Sequence, residues 1–471
     1  MENFYTKFVG FMNTWLYQPY VVPLFLILAG LIFSIGTKFV QFRCLGETFR
    51  VIGEKPKEKG GISSFGALMV STASRVGTGN IIGVSTALCT GGPGAIFWLW
   101  ITAILGGASA FVESTLAQIF KRRDDDGSSY GGPSYYMETA LGQRWLGVIF
   151  AVIIILTYAV GYNMLASYNL QSCFAAFSFY SENSTPIIIG IILAVLFAVI
   201  VLGGAKRLTK VTGVLVPIMG LIFIVVALVV MVMNAGKLGA MFGMIFRDAF
   251  DFKAIFGGFF GSCIMWGIKR GLYSNEAGMG SAPNAAATAD VSHPAKQGLV
   301  QMLSVFIDSL LICTATAFMC LSTGVVPTVE QSGAPYVQNA MASTLGSFGP
   351  IFIAVSLSLF AFTTLIGNYY YCEGCLRFIL KRKPSKTLLT VFRIVATVLV
   401  GVGAVLSAGI VWDTADMLQG LMVVINIPVI LILAKPAFRC LDDYMKQRKE
   451  GKEPVYNAAA CGVTKPTEYW K

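Results

Sequence analysis

Residues 71–98, STASRVGTGNIIGVSTALCTGGPGAIFW, have the apolar content of a membrane span, yet Arg75 and then Gly77-Thr78-Gly79-Asn80 fall near their middle. Glycine inside a helix costs roughly 1 kcal/mol against alanine, and a guanidinium keeps its charge in a membrane. A segment that only had to cross lipid would carry neither. The pattern predicts a helix interrupted at mid-membrane, freeing N–H and C=O groups that hydrocarbon cannot satisfy but a ligand can. Half-helix N-termini favour a carboxylate, while freed carbonyls and helix C-termini favour a cation. The alternative, close helix packing through small residues, accounts for Gly83 and Gly106-Gly107 but not for Asn80.

Working outward, the 471 residues have a mean hydropathy of +0.70 and only 13% charged residues. Apolar runs of about 20 residues, the length that spans a bilayer, recur along the whole chain. The composition is that of an all-α polytopic membrane protein with no room for a soluble domain. Met1–Tyr17 lacks the basic start and small-residue cleavage site of a signal peptide. The net charge of +11 is read as loop charge rather than as a nucleic-acid footprint. Of the ten cysteines, Cys89, Cys173, Cys263, Cys313 and Cys320 fall in apolar runs and read as small core residues. Cys372-Glu-Gly-Cys375 has redox-motif spacing without the βαβ context that motif needs. His293 is the only histidine, which argues against a histidine-based metal site or triad.

Eleven candidate spans lie near 18–41, 64–90, 94–121, 145–175, 186–204, 212–234, 253–282, 297–323, 346–379, 388–409 and 414–439. The connections after spans 1, 3, 5, 7 and 9 and the tail after span 11 are basic. They include Arg50-Lys55-Lys57-Lys59, Lys121-Arg122-Arg123, Lys206-Arg207-Lys210, Lys381-Arg382-Lys383-Lys386 and Arg439 through Lys452. The opposite side holds only Lys7, Lys237, Arg247 and Lys253. The positive-inside rule then places the N-terminus outside and the C-terminus in the cytoplasm, in what reads as a bacterial inner membrane.

Span 7 carries a second interruption within GIKRGLYSNEAGMGSAPN, residues 267–284. With span 1 set aside, spans 2–6 and 7–11 form two sets of five, and an odd number per set gives them opposite orientations. The breaks fall on the first span of each. Paired broken helices in an inverted repeat mark a transporter's midplane site. The expected organisation is a peripheral segment 1–63, repeats at 64–234 and 253–439, and a tail at 440–471.

Three stretches, VGTGNIIGVSTALCTGGPGAIFWLW, GGPSYYMETAL (131–141) and WGIKRGLYSNEAGMGSAPNAAA (266–287), closely resemble the alanine/glycine:cation symporter family. The resemblance runs from about residue 15 to 440. It implies a sodium-coupled importer of small neutral amino acids, with the five-plus-five architecture of the bacterial leucine transporter, no enzymatic activity and no cofactor beyond Na⁺ as coupling ion. Position by position, it implies that the N–H groups around Gly77, Thr78 and Gly79 receive the substrate carboxylate. Asn80 and the Arg75 carbonyl would serve one sodium site. The Ala73 and Val76 carbonyls, with the hydroxyls of Thr363 and Thr364, would serve a second. Tyr273 would close over the substrate, with Asn163, Ala166 and Asn368 lining the pocket. Asn275 and Glu276 belong to the family's most distinctive motif, and whether they touch ligand or lock the break stays open.

Ala166 stands where relatives have glutamine, and Asn368-Tyr369 where alanine transporters often have Trp-Ser. A larger pocket with a more polar wall puts glutamine or serine beside alanine and glycine as substrates. Glu113, Glu276, Asp308 and Glu373 are carboxylates in or at the ends of apolar spans. Each costs about 2.5–3.5 kcal/mol on insertion scales unless paired, hydrated or protonated. Arg75, Glu113, Glu276 and Asp308 read as gate or brace residues, with Arg75 facing Glu113 or Asp308. Lys269-Arg270 are expected at the cytoplasmic end of the broken span. A proton-coupled importer on the same fold is the competing function. A membrane enzyme lacks a nucleophile–base pair, and a passive channel lacks a filter repeat. Substrate preference, ion stoichiometry and oligomeric state are not legible.

Overall fold

The computed structural model describes residues 2–18, 21–56, 61–124, 127–251 and 262–470. Among these the only strands are a short antiparallel pair, Arg122–Arg123 with Ser129–Tyr130; the rest is helix and its connections. In chain order the helices are α1 (Glu2–Tyr17), α2 (Val21–Gly36), α3 (Leu45–Ile52), α4 (Ser64–Arg75), α5 (Val84–Gly91) and α6 (Ala95–Ile119). They continue with α7 (Arg144–Ile155), α8 (Asn163–Ser172), α9 (Thr185–Val201), α10 (Gly204–Met233), α11 (Leu238–Ala249) and α12 (Cys263–Asn275). The chain ends with α13 (Pro294–Val305), α14 (Thr314–Ser322), α15 (Ala334–Leu345), α16 (Phe348–Leu380), α17 (Lys386–Gly403), α18 (Ala408–Ile432) and α19 (Ala434–Lys449).

Eight helical stretches of the described residues are long and apolar enough to cross a bilayer, and α9 is a shorter apolar helix of 17 residues. Their burial sorts them. Two-thirds of the apolar window of the stretch from α13 through α14, and of α16 and α18, is buried inside the protein, against 28% for Arg207–Met233 and 17% for α17. Helix α9 exposes Ile187, Ile188, Ile191 and Ile192, and α17 exposes Ile394, Val395 and Val398. A continuous apolar surface of that kind belongs against lipid, so α9, α10 and α17 form a flank while α6, α13, α16 and α18 enclose the centre. Helix α6 packs along both α12 and α13, and α4 packs against α10, α13 and α16.

The two interrupted helices begin alike. Ser63 caps α4 by accepting from Gly66 N at 3.0 Å, and Ser262 caps α12 by accepting from Met265 N at 3.4 Å. Each runs about three turns and stops. Three wide π-helical turns, Gly79–Gly83, Leu156–Tyr162 and Phe306–Cys313, interrupt other helices nearby; such turns concentrate at functional sites.

The boundaries differ from the sequence reading in several places. Residues 414–439 are not one span: α18 ends at Ile432 and α19 is a separate helix. Lys435, Arg439, Asp442, Asp443 and Lys446 keep α19 out of lipid, while Ala437, Cys440, Leu441 and Tyr444 bury one face against the bundle. Helices α1, α3, α11 and α15 are additional to the expected spans. The expected start of span 7 at 253–261, with Lys253, and the basic Lys57 and Lys59 lie outside the described residues.

Candidate functional site

Helix α4 ends at Arg75, Val76 is extended (φ −76°, ψ 90°), and helical winding resumes only in the π turn at Gly79. Asn80 holds this break together. Its Oδ1 accepts from Gly77 N at 2.7 Å, and its Nδ2 donates to Asp308 Oδ1 at 2.7 Å and to Asp308 O at 3.2 Å. Glycine is required by close approach at two positions. A Cβ on Gly77 would collide with Thr364 Oγ1, and one on Gly79 would stand 2.6 Å from the Tyr273 ring.

The second break follows Asn275. Glu276 is left-handed (φ 54°), and the chain stays unwound until a single helical turn at Pro283–Ala286. A non-glycine residue in that conformation costs of order 1–3 kcal/mol, so its surroundings must hold it. Glu276 Oε2 accepts from Ser281 Oγ at 2.7 Å, and Ser74 Oγ lies 2.9 Å from Glu276 Oε1 and 2.7 Å from Asn368 Oδ1. Asn275 uses both ends of its amide: Oδ1 accepts from Ala277 N at 3.0 Å and Nδ2 donates to Ser309 Oγ at 3.2 Å.

Three buried carboxylates tie the breaks to the bundle. Asp308, in the π turn of 306–313, accepts from Asn80 at the first break, from Ser274 Oγ (3.0 and 2.8 Å) at the second, and from Ser309 Oγ at 2.8 Å. Glu276 joins Ser74 to Ser281. Glu113 on α6 accepts from Gly278 N at 3.4 Å, Gly280 N at 3.1 Å and Asn426 Nδ2 at 3.0 Å. Arg75 is 2% exposed. It reaches neither Glu113 nor Asp308 by a direct ion pair: Nη1 donates to Ser304 Oγ at 2.7 Å and to Gln301 O at 3.2 Å on α13. Its charge nevertheless acts on Glu113, Glu276 and Asp308. Were all three carboxylates ionised, one guanidinium would leave two uncompensated negative charges in a low-dielectric interior, so cations or protons must share the site.

Several buried polar atoms beside the first break have no hydrogen-bond partner: Thr364 Oγ1, Asn163 Nδ2, Ser167 Oγ and Asn169 Oδ1. Thr364 and Thr363 differ. Thr363 donates back to Leu359 O (3.0 Å) and Phe360 O (3.1 Å) of its own helix and sits 3.5 Å from Met219 Sδ, whereas Thr364 Oγ1 stands against Gly77. Asn368 donates to Asn163 Oδ1 at 3.0 Å, and Asn169 donates to Thr78 Oγ1 at 3.0 Å. Ala166 is buried in the same apolar cluster as Ala73 and Val76. Tyr273 covers Gly79, its ring edge-on to Tyr162 at 5.0 Å and Trp412 at 5.1 Å.

Lys269 and Arg270 meet a buried acid on α18. Arg270 pairs with Asp416 (3.1 and 3.3 Å), Lys269 reaches the same carboxylate at 2.6 Å, and Arg270 lies 4.2 Å from the Trp412 ring. Asp416 is near the start of α18, far from the tail that follows its other end. One buried acid serves both cations and cancels one of their two charges, so loop-charge reasoning does not apply to them. Three of the basic connections meet the tail: Arg50 and Lys296 pair with Glu453, and Arg122 with Glu468. Ser74, Ser167, Asn169, Ser304, Asp416 and Asn426 are not singled out by the sequence, whereas Ser274 opens the stretch that marks the second break. Of the others, Ser74 directly precedes a residue already singled out, and Ser167 directly follows one.

The profile of the sodium:alanine symporter family matches residues 1–458. The chain is 44% identical to the amino-acid carrier protein AlsT of Bacillus subtilis, over 100% of this chain and 99% of that one. It is 43% identical to the probable sodium/glutamine symporter GlnT of the same organism, over 97% and 94%. A solved structure of MhsT in complex with L-phenylalanine shares the fold, with a TM-score of 0.56 at 15% identity, over 87% of this chain and 92% of that one.

Proposed function

We propose that this chain, which belongs to the sodium:alanine symporter family, imports a small neutral amino acid together with Na⁺ by alternating access. It is a transporter, not an enzyme. The observation that carries the reading is the joining of both helix breaks through Asp308 and Glu276. Substrate bound at one break is thereby linked to the geometry of the other.

In this reading the N–H groups around Gly77–Gly79 hold the substrate carboxylate. Asn163, Ser167, Asn169 and Asn368 face its polar parts, and Tyr273 closes the pocket. Thr364 Oγ1, with the carbonyls of Ala73 and Val76, serves one Na⁺. Asp308, with Asn80 and the carbonyl of Arg75, serves another. A zwitterion brings no net charge, so the co-transported cations balance the excess carboxylates. Glu113, Glu276 and Arg75 brace the breaks, and the Arg270–Asp416 pair gates one end. The polar amides of Asn163 and Asn368 favour glutamine or serine beside alanine and glycine.

Eight long apolar helices, the shorter α9 and two interrupted segments together support eleven crossings, with one peripheral to a five-plus-five inverted repeat. The gathering of basic residues with the tail supports a cytoplasmic C-terminus and an outside N-terminus in a bacterial inner membrane. A second reading, coupling to H⁺, is favoured by the same three carboxylates, any of which is a proton acceptor. Proteoliposome uptake of labelled alanine, glycine, serine and glutamine separates the two. Accumulation driven by an inward Na⁺ gradient supports the proposal, and accumulation driven only by an H⁺ gradient supports the second reading. Failure of a Na⁺ gradient to drive any of the four overturns the first.

A further inference from the structure

The tail beyond α19 folds back under the bundle. Tyr456 N donates to Ser292 O at 3.0 Å and Trp470 Nε1 to Gln118 O at 2.8 Å, while the Lys121 ammonium lies 3.8 Å from the centre of the Tyr469 ring. At the heart of this contact, three side chains converge from three separate segments. His293, the chain's one histidine, caps α13; Cys440 lies on the buried face of α19; Cys461 lies in the tail. All three are fully buried, and their possible ligand atoms lie within 4.8 Å of one another. Among the described residues no other set of three histidine, cysteine or carboxylate side chains converges in this way. One turn after Cys440, Asp443 places Oδ2 3.3 Å from His293 Nε2.

We propose that His293, Cys440 and Cys461 form a binding site for a thiophilic divalent ion of the Zn²⁺ class that clamps the tail to the bundle, the fourth position being taken by water or by Asp443 after a side-chain rotation. The ligand types select the ion: two sulfurs and an imidazole suit Zn²⁺ and exclude Na⁺, Mg²⁺ and Ca²⁺, which take oxygen. A closed structural zinc site takes four ligands in tetrahedral array. Asp443 Oδ2 lies 3.3 Å from Nε2 and accepts from Gln447 Nε2 at 2.8 Å, so it adjoins the three converging ligands and joins them only by turning. Loading balances simply. The ion enters, both thiols release their protons to water, the imidazole binds as the neutral base, and two thiolates cancel the two positive charges; water in the fourth position keeps the site neutral, and Asp443 there makes it singly negative. His293 Nδ1 now accepts from Ala295 N at 3.2 Å. Binding exchanges that cap for a metal–nitrogen bond, since a neutral ring coordinated at Nε2 carries its proton at Nδ1. The lone histidine argued against a metal site in the sequence; the cysteines that complete this one lie 147 and 168 positions away.

The clamp joins the tail to α13, the helix that holds Arg75 through Ser304 and leads into Asp308. Its test uses the full-length protein in detergent, reduced with a phosphine, stripped with EDTA and titrated with Co²⁺. The expected result is one Co²⁺ per chain with a thiolate-to-metal charge-transfer band, bleached by Zn²⁺. Cys461→Ser should weaken binding at least tenfold, the Cys440→Ser/Cys461→Ser pair should abolish the band, and Cys89→Ser should leave it unchanged. Zn²⁺ should also protect Cys440 and Cys461 of the unmutated protein from alkylation at least tenfold, a readout that needs no variant to fold. Substoichiometric Co²⁺, a band that survives the double substitution, no thiol protection, or a Cys440–Cys461 disulfide in place of metal under reducing conditions would each overturn the proposal.

Discussion

Replacing Thr364 by valine separates an ion ligand from a packing residue. The hydroxyl is buried, faces Gly77 and has no protein partner. Burying an unsatisfied polar group costs about 1–3 kcal/mol, and valine keeps the shape and β-branching without it. If Thr364 only packs, Thr364→Val should stabilise the ligand-free protein by about 1 kcal/mol and change nothing else. If Oγ1 ligates Na⁺, the variant also loses an interaction with a charge, about 1.5–3 kcal/mol. At 1.4 kcal/mol per decade that weakens Na⁺ by roughly 10- to 100-fold. Thermal unfolding against Na⁺ concentration reads both effects: the variant should melt higher without Na⁺ and need far more Na⁺ for its ligand-dependent rise. Thr364→Ser should retain the ion. Thr363→Val, whose hydroxyl is used within its own helix, should shift the Na⁺ dependence by less than threefold. Unchanged Na⁺ dependence in Thr364→Val, or a larger effect from Thr363→Val, would refute the assignment.

Gly77→Ala drives a methyl into Thr364 Oγ1 and should abolish Na⁺-dependent uptake while the protein still reaches the membrane, as read by uptake and surface-labelling assays. Asp308→Asn keeps the shape but removes the charge shared by both breaks; amino-acid binding should lose at least tenfold of its dependence on Na⁺ in equilibrium titrations. Asp416→Asn leaves Arg270 buried without its charge partner, which costs about 3–5 kcal/mol and should lower the melting temperature more than any other substitution here. At the tail, burial acts to raise the Glu453 carboxyl, but the Lys296 hydrogen bond and the charges of Lys296, Arg50 and Arg448 hold it below its ordinary 4.5. A depressed carboxyl stabilises the docked tail above pH 4.5 and loses that contribution as pH falls through its folded value. Proteolytic cleavage of the tail should therefore accelerate on acidification below pH 4.5, and Glu453→Gln should flatten the profile.

The breaks were legible because their chemistry is local. Clustered glycine and asparagine weaken a helix through local backbone and side-chain chemistry, and a capping serine precedes each interrupted helix in sequence as in space. The membrane class followed from apolar run length, which needs no tertiary information. The partners of the buried charges were not legible. Asn80 and Asp308 are 228 residues apart, and Arg75 and Ser304 are 229; nothing in either neighbourhood announces the other. The sequence around Arg270 reads as a gate or an anchor and does not point to its acid, 146 positions away. Thr363 and Thr364 are equivalent as letters and opposite as geometry, since adjacent helical positions point about 100° apart.

The central claim, that the two breaks form one site where Na⁺ and amino acid hold each other, is tested most directly by reciprocal linkage on the purified protein. Amino-acid affinity is titrated at several Na⁺ concentrations, and Na⁺ affinity with and without the amino acid. The account predicts that each ligand tightens the other by the same factor, at least tenfold, and that the factor collapses toward one in Asp308→Asn. Independent binding of the two ligands in the unaltered protein would contradict it.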